Sequence, residues 1–183
     1  RYRLGQQLAR EQPADADVVI PVPDSGRCAA LGYSSVSGQT YGRGFVRSHY
    51  VGRTFIQPSQ EMRDLSVKMK LNVIKETVDG RRVVVIDDSI VRGTTTRSKM
   101  RQLRASGAKE VHLRISSPPI RWPCYYGVDF PTPEELLAHN RTIEEIRRFL
   151  EVDSLGYLSL DGMLSCMKLP AERFCTACWS GKY

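Results

Sequence analysis

The sequence predicts an α/β fold, an open and mainly parallel sheet flanked by helices, with a helical stretch at the C-terminal end. Three observations carry that prediction. Val83-Val84-Val85-Ile86 is a β-branched run between charged neighbours, the pattern of a central parallel strand buried on both faces. A strand, a tight glycine-containing turn and a helix follow one another twice, which builds a parallel sheet rather than a sandwich. Thr132-Pro133-Glu134-Glu135 and Thr142-Ile143-Glu144-Glu145 both read as capping boxes that open helices.

Taken in order, residues 2–10 have helical spacing with Leu4 and Leu8 four apart, and Pro13 interrupts them. Residues 17–23 form a short apolar strand stopped by Pro21 and Pro23. Asp24-Ser25-Gly26 turns the chain into a small-residue helix over 27–33. A further strand lies around Phe45-Val46. Residues 51–71 show little apolar periodicity and carry Arg53, Arg63, Lys68 and Lys70. So long a stretch inside a compact domain is either a functional loop or a plain surface excursion with one helical turn. The strand over 82–87 comes next, then a helix over 94–105, where Gly107 supplies a left-handed end. A strand over 109–115 stops at Pro118-Pro119, and helices fill the rest. The expected organisation is a core over 1–130, containing the loop at about 51–71, and a helical extension over 131–183 that ends in a Cys-x-x-Cys tail.

A chain of 183 residues, 41% hydrophobic, fits one compact domain. No apolar run is long enough to span a membrane and no secretory leader opens the chain, so a soluble, cytoplasmic protein is expected. The net charge of +7 suits a polyanionic ligand or an ordinary solvated surface. No run of five or six like charges and no basic helix with stacking aromatics is present, which argues for a phosphorylated small molecule over nucleic acid. The five cysteines, Cys28, Cys124, Cys166, Cys175 and Cys178, make an odd set. In a cytosolic protein that points to metal or buried thiols, not disulfides. Cys28 and Cys166 are expected to pack in the core, His112 to be structural, and His49 to lie near the long loop without a role.

The chemistry concentrates in Val83 to Thr96. A buried strand ends in two carboxylates, Asp87 and Asp88. Ser89, Gly93, Thr94 and Thr95 then lead into a helix N-terminus. In open parallel sheets ligands bind at that edge. The helix start favours a phosphate, and Gly93 allows close backbone approach. Two carboxylates beside a phosphate must meet donors, namely vicinal hydroxyls or a cation. A ribose 5-phosphate with Mg2+ satisfies both demands. Neither common nucleotide loop, Gly-x-x-x-x-Gly-Lys-Ser/Thr nor Gly-x-Gly-x-x-Gly, is present.

The segment Val85-Ile86-Asp87-Asp88-Ser89-Ile90-Val91-Arg92-Gly93-Thr94-Thr95 resembles the phosphoribosyl-diphosphate (PRPP) motif of type I phosphoribosyltransferases. Val22-Pro23-Asp24-Ser25-Gly26, His49 to Phe55 and the stretches around Ser116-Ser117-Pro118-Pro119 and Pro123-Cys124-Tyr125 narrow the likeness. They match the glutamine-dependent branch that opens purine synthesis. The resemblance implies the type I phosphoribosyltransferase fold and transfer of ammonia to PRPP. It implies that Asp87 and Asp88 hold ribose hydroxyls and, with Ser25, Mg2+. Ser89, Ile90, Val91, Arg92, Gly93, Thr94 and Thr95 would enclose the 5-phosphate, and Asp24, Ser25 and Gly26 would line the diphosphate. Arg53 and Lys70 would neutralise the leaving group, with Arg47 and Tyr50 on the same wall. It further implies purine nucleotides as inhibitors, a homo-oligomer, and a glutaminase domain upstream of Arg1. Cys124, Cys175 and Cys178 fall where three ligands of a [4Fe–4S] cluster lie in the parent enzyme. With the fourth ligand missing, an intact cluster is not expected here, and zinc is the competing occupant. The alternatives to an amidotransferase part are a PRPP-sensing module without turnover and a salvage enzyme that takes a purine base.

Overall fold

The computed structural model describes residues 1–47, 71–128 and 132–183. Among these residues five parallel strands form the main sheet. They are β1 (Val18–Pro21), β2 (Thr40–Tyr41), β5 (Arg82–Asp87), β6 (Glu110–Ile115) and β7 (Ser154–Tyr157), in the order β2-β1-β5-β6-β7. A separate antiparallel ribbon pairs β3 (Phe45–Arg47) with β4 (Leu71–Val73). The helices among the described residues are α1 (Tyr2–Glu11), α2 (Arg27–Ser37), α3 (Lys75–Val78), α4 (Thr94–Ala105), α5 (Ile143–Leu150), α6 (Leu160–Ser165) and α7 (Ala177–Ser180). No helix among the described residues is long and apolar enough to cross a membrane.

The apolar run of β5 is central, as its composition predicts, with Val83 to Ile86 fully buried between β1 and β6. Alternate side chains of a strand point to opposite faces, and the core divides accordingly. Val83 and Val85 join Met100 and Leu103 of α4 and Ile146 and Leu150 of α5. Val84 and Ile86 join Leu8 of α1 and Ala29, Ala30 and Tyr33 of α2. On that second face α1 and α2 cross at two glycines. A methyl at Gly5 would strike the Ala29 carbonyl, and one at Gly32 the Tyr2 carbonyl.

Arg114, a buried cation on β6, ties the sheet to the segment after α1. Its guanidinium donates to the Gln12 and Pro13 carbonyls at 2.8 and 2.9 Å, to Leu113 at 3.0 Å and to Ser154 Oγ at 2.9 Å. His112 is structural as expected, with one ring nitrogen 2.9 Å from Ser154 Oγ and the other 3.1 Å from Glu110.

Several expectations are corrected. The C-terminal stretch is not helical throughout, because residues 154–157 add the sheet's edge strand beside β6. Thr132 opens only a single 3-10 turn over Pro133–Glu135, since its side chain caps no backbone N–H. Thr142 does form the full capping box with Glu145. Cys28 is exposed, because α2 buries Ala29, Ala30, Gly32 and Tyr33 instead. Cys166 is half-buried at the end of α6, its thiol donating to the Gly162 and Arg3 carbonyls at 3.2 and 3.4 Å. His49, Tyr50, Arg53, Lys70 and nearly all of the loop at 51–71 lie outside the described residues.

Candidate phosphate and ribose site

Two loops meet at the C-terminal edge of the central strands. One follows β1 (Val22 to Gly26), and the other follows β5 (Asp88 to Gly93). The first is fastened to the second strand where Val22 N–H donates to the Ile86 carbonyl at 2.8 Å. At Gly26 the loops pass so close that a methyl would collide with the Ile86 carbonyl, which is why this turn needs glycine. β6 closes the floor, its following residue Ser116 donating to the Asp87 carbonyl from N–H at 3.0 Å and from Oγ at 3.3 Å.

The acidic pair is asymmetric. Asp87 is 5% exposed. Its Oδ1 accepts from Asp88 N–H at 2.9 Å, while Asp88, half-buried, accepts from Ser89 N–H at 2.9 Å. Burial pushes the Asp87 carboxyl up to about 6, with the neighbouring Asp88 charge adding to the rise and the Lys99 ammonium opposing it. Lys99 Nζ lies 3.6 Å from Asp87 Oδ2. The sequence reading missed Lys99. The available signal was a lysine among the α4 positions that face the sheet, between the buried Thr96 and Met100.

Beyond the acidic pair the loop turns into α4 through Gly93, at φ 78°, and no side chain caps the helix. The backbone N–H groups of Thr94, Thr95 and Thr96 find no acceptor among the described residues. Thr94 and Thr95 are exposed. An uncapped start of a twelve-residue helix with hydroxyls beside it is a ready anion cradle. Ile90 and Val91 bring only their backbones. Ile90 is buried in the core, and the Val91 carbonyl accepts from Leu137 N–H at 2.8 Å. The Arg92 side chain pairs with Glu135 at 2.6 Å. A methyl on Gly93 would press into Leu137, so the segment after the 3-10 turn braces this loop from outside. A cavity of about 290 Å3 lies there, lined by Arg92, Glu135, Leu137 and Phe149, and its walls include neither carboxylate of the pair.

In the first loop the Pro23–Asp24 peptide is cis. The N–H groups of Asp24 and Ser25 have no acceptor among the described residues. Asp24 does not stand free: Arg27 lies 2.9 Å and Arg47 3.1 Å from its two oxygens. Those arginines, of which only Arg47 was anticipated, bring positive charge to this wall.

The oxygens of Asp87, Asp88 and Ser25 are the hard donors that Mg2+ prefers, and a magnesium site takes few protein ligands because substrate and water supply the rest. The residues present fit that ion. At the tail, burial raises the Cys178 thiol, and the nearby Cys124 and Cys175 raise it further. The three predicted cysteines are therefore neighbours. They do not converge into a metal-holding group, and no set of three His, Cys, Asp or Glu does so among the described residues.

No family model matches the chain. It is 52% identical over 188 aligned positions to the amidophosphoribosyltransferase of Mycobacterium tuberculosis, covering all of this chain and 36% of that protein. It is 52% identical over 183 positions to that of Methanothermobacter thermautotrophicus, covering all of this chain and 39% of the relative. The fold superposes with a TM-score of 0.89 and 48% identity on the glutamine PRPP amidotransferase from B. subtilis solved with ADP and GMP, spanning all of this chain and 41% of that one. The expected type I phosphoribosyltransferase architecture is thus the observed one. The chain spans little more than a third of the length of the curated relatives it matches.

Proposed function

We infer that this chain belongs to the amidophosphoribosyltransferases and is the part that transfers the phosphoribosyl group, converting PRPP and ammonia to 5-phosphoribosylamine and diphosphate. The observation that carries the reading is an uncapped helix start and an acidic pair joined by one five-residue loop, Ser89 to Gly93, at the sheet edge. A phosphate and a pair of hydroxyls on one small sugar answer both.

The 5-phosphate rests on the N–H groups of Thr94, Thr95 and Thr96 and takes hydrogen bonds from the hydroxyls of Ser89, Thr94 and Thr95. Asp87 and Asp88 accept from the ribose hydroxyls and fix the ring. The diphosphate lies along Asp24, Ser25 and Gly26, where free N–H groups and the nearby Arg27 and Arg47 meet its charge. The resemblance assigns neutralisation of the leaving diphosphate to Arg53 and Lys70, which lie outside the described residues. Mg2+ on Asp87, Asp88 and Ser25 supplies neutralisation of the departing charge when bound.

The reaction needs no protein nucleophile. The nitrogen lone pair forms the C1–N bond as the C1–O bond to diphosphate breaks. The developing positive charge on the ring is met by the carboxylates, and the protein contributes position and electrostatics.

Ammonia is the donor this chain uses, and its release from glutamine falls to the remainder of the longer relatives. Purine nucleotides compete through their phosphates for the same cradle. The working form is a cytoplasmic homo-oligomer. No step is assigned to an iron–sulfur cluster. Calorimetric titration of PRPP with Mg2+ tests the site. Saturable binding displaced by ribose 5-phosphate, and weakened at least about tenfold in Asp88→Asn, is expected from the loss of a charge-assisted hydrogen bond. Absence of PRPP binding to the intact chain would overturn the reading.

A further inference from the structure

The acidic pair holds a cation that the reaction, as derived above, does not use. Among the described residues, Lys99 and Asp87 make the one ion pair in which both side chains are largely buried, 15% and 7% exposed. Every other pair has at least one partner more than a third exposed. The pair is also placed with purpose in the fold. Lys99 sits on the α4 side that faces the sheet, one turn past the free N–H groups of the phosphate cradle.

The two oxygens of Asp87 have different partners. Oδ1 is committed to the Asp88 N–H at 2.9 Å. Oδ2 faces the ammonium at 3.6 Å, which is charge contact and not a hydrogen bond. Its lone pairs remain available to a hydroxyl donor, and no hydrogen bond to it comes from the described residues. A buried carboxylate with no counter-charge turns toward water or is displaced. With a cation 3.6 Å from Oδ2, the same carboxylate is held in place while Oδ2 accepts no hydrogen bond from the described residues.

We propose that Lys99 is a positioning residue for ribose recognition: its ammonium, buried with Asp87 and 3.6 Å from Oδ2, fixes that carboxylate so that it meets a sugar hydroxyl. This rests on the reading of the site as a ribose phosphate site. Lys99 itself touches no substrate. Its contribution is to the discrimination between a ribose and its deoxy analogues, because the hydrogen bond to Asp87 is part of that discrimination.

The test titrates ribose 5-phosphate, 2-deoxyribose 5-phosphate and 3-deoxyribose 5-phosphate into the 183-residue chain and into Lys99→Met and Lys99→Arg, with folding checked by circular dichroism. The unaltered chain should prefer ribose 5-phosphate to at least one deoxy analogue by about tenfold, the worth of one hydrogen bond to a charged group. Lys99→Met should reduce that ratio to about two or three by weakening ribose 5-phosphate binding, while the affinity for the analogue stays nearly constant. Lys99→Arg, which keeps the charge, should restore most of the ratio. Equal weakening of all three ligands in Lys99→Met, or an unchanged ratio, would show that Lys99 only packs and would overturn the proposal. If the unaltered chain shows no preference for the ribose, the ribose reading of the site itself fails, an outcome separate from the other two. Should Lys99→Met fail to fold, Lys99→Gln gives the same comparison, with the same ratios deciding.

Discussion

Replacing Asp87 with Asn should make the protein more stable at neutral pH while removing its ligand. The carboxyl of Asp87 rises from 3.8 to about 6 on folding, chiefly because burial penalises the charge. A folded pKa above the unfolded one means that the folded state binds the proton more tightly. Stability therefore falls as pH climbs from about 4 to about 6, and the whole penalty is present above that window. A rise of about two units corresponds to roughly 3 kcal/mol at about 1.4 kcal/mol per unit. Asn imitates the neutral acid in shape and keeps an oxygen toward Asp88 N–H. Metal-free urea unfolding at pH 4 and pH 7.5 is the assay. The difference between Asp87→Asn and the unaltered chain should be near zero at pH 4 and about 2–3 kcal/mol in favour of the variant at pH 7.5. The comparison between the two proteins removes the opposite trend from carboxylates such as Glu144 and Glu151, both held down to about 2 by arginines. Equal or lower stability of the variant at pH 7.5 would refute the claim that the buried charge is held against the fold's preference.

Gly93→Ala forces a left-handed residue to carry a methyl against Leu137, so it should lose about 1–2 kcal/mol and weaken ribose 5-phosphate more than it weakens the fold, as paired melting and titration would reveal. Gly32→Ala places a methyl on the Tyr2 carbonyl and must push α1 from α2; denaturant melts should show a loss of about 1–3 kcal/mol with the phosphate site intact in the folded fraction. Arg114→Met strips partners from the Gln12, Pro13 and Leu113 carbonyls and from Ser154, and a loss of about 3 kcal/mol is expected in urea. Amide exchange should quicken along β7 in that variant, because its tie to residues 12–13 is gone.

The central strand, α4 and the turn at Gly107 are legible from residue pattern, because an unbroken β-branched run and an uncapped hydroxyl-rich helix start have few other solutions. The edge strand β7 is not. Ser154-Leu155-Gly156-Tyr157 has two small residues in four, and only pairing with β6 makes it a strand. Thr132 shows the converse failure, a good local signal with no helix behind it to cap. At the sheet edge, the carboxylate pair at the end of β5 and the glycine turn into α4 follow from sequence. The inequality of Asp87 and Asp88, and the partnership with Lys99, do not. They depend on how deep the end of β5 lies and on which side of α4 faces it, and these are properties of packing. The exposed position of Cys28 has the same origin, since α2 turns its alanines and Tyr33 to the sheet.

The most direct measurement is diphosphate release from PRPP with Mg2+, comparing ammonia at alkaline pH with glutamine as nitrogen source. The account predicts release and phosphoribosylamine formation with ammonia and none with glutamine. PRPP binding without release under either donor would contradict it and make the chain a PRPP-sensing module.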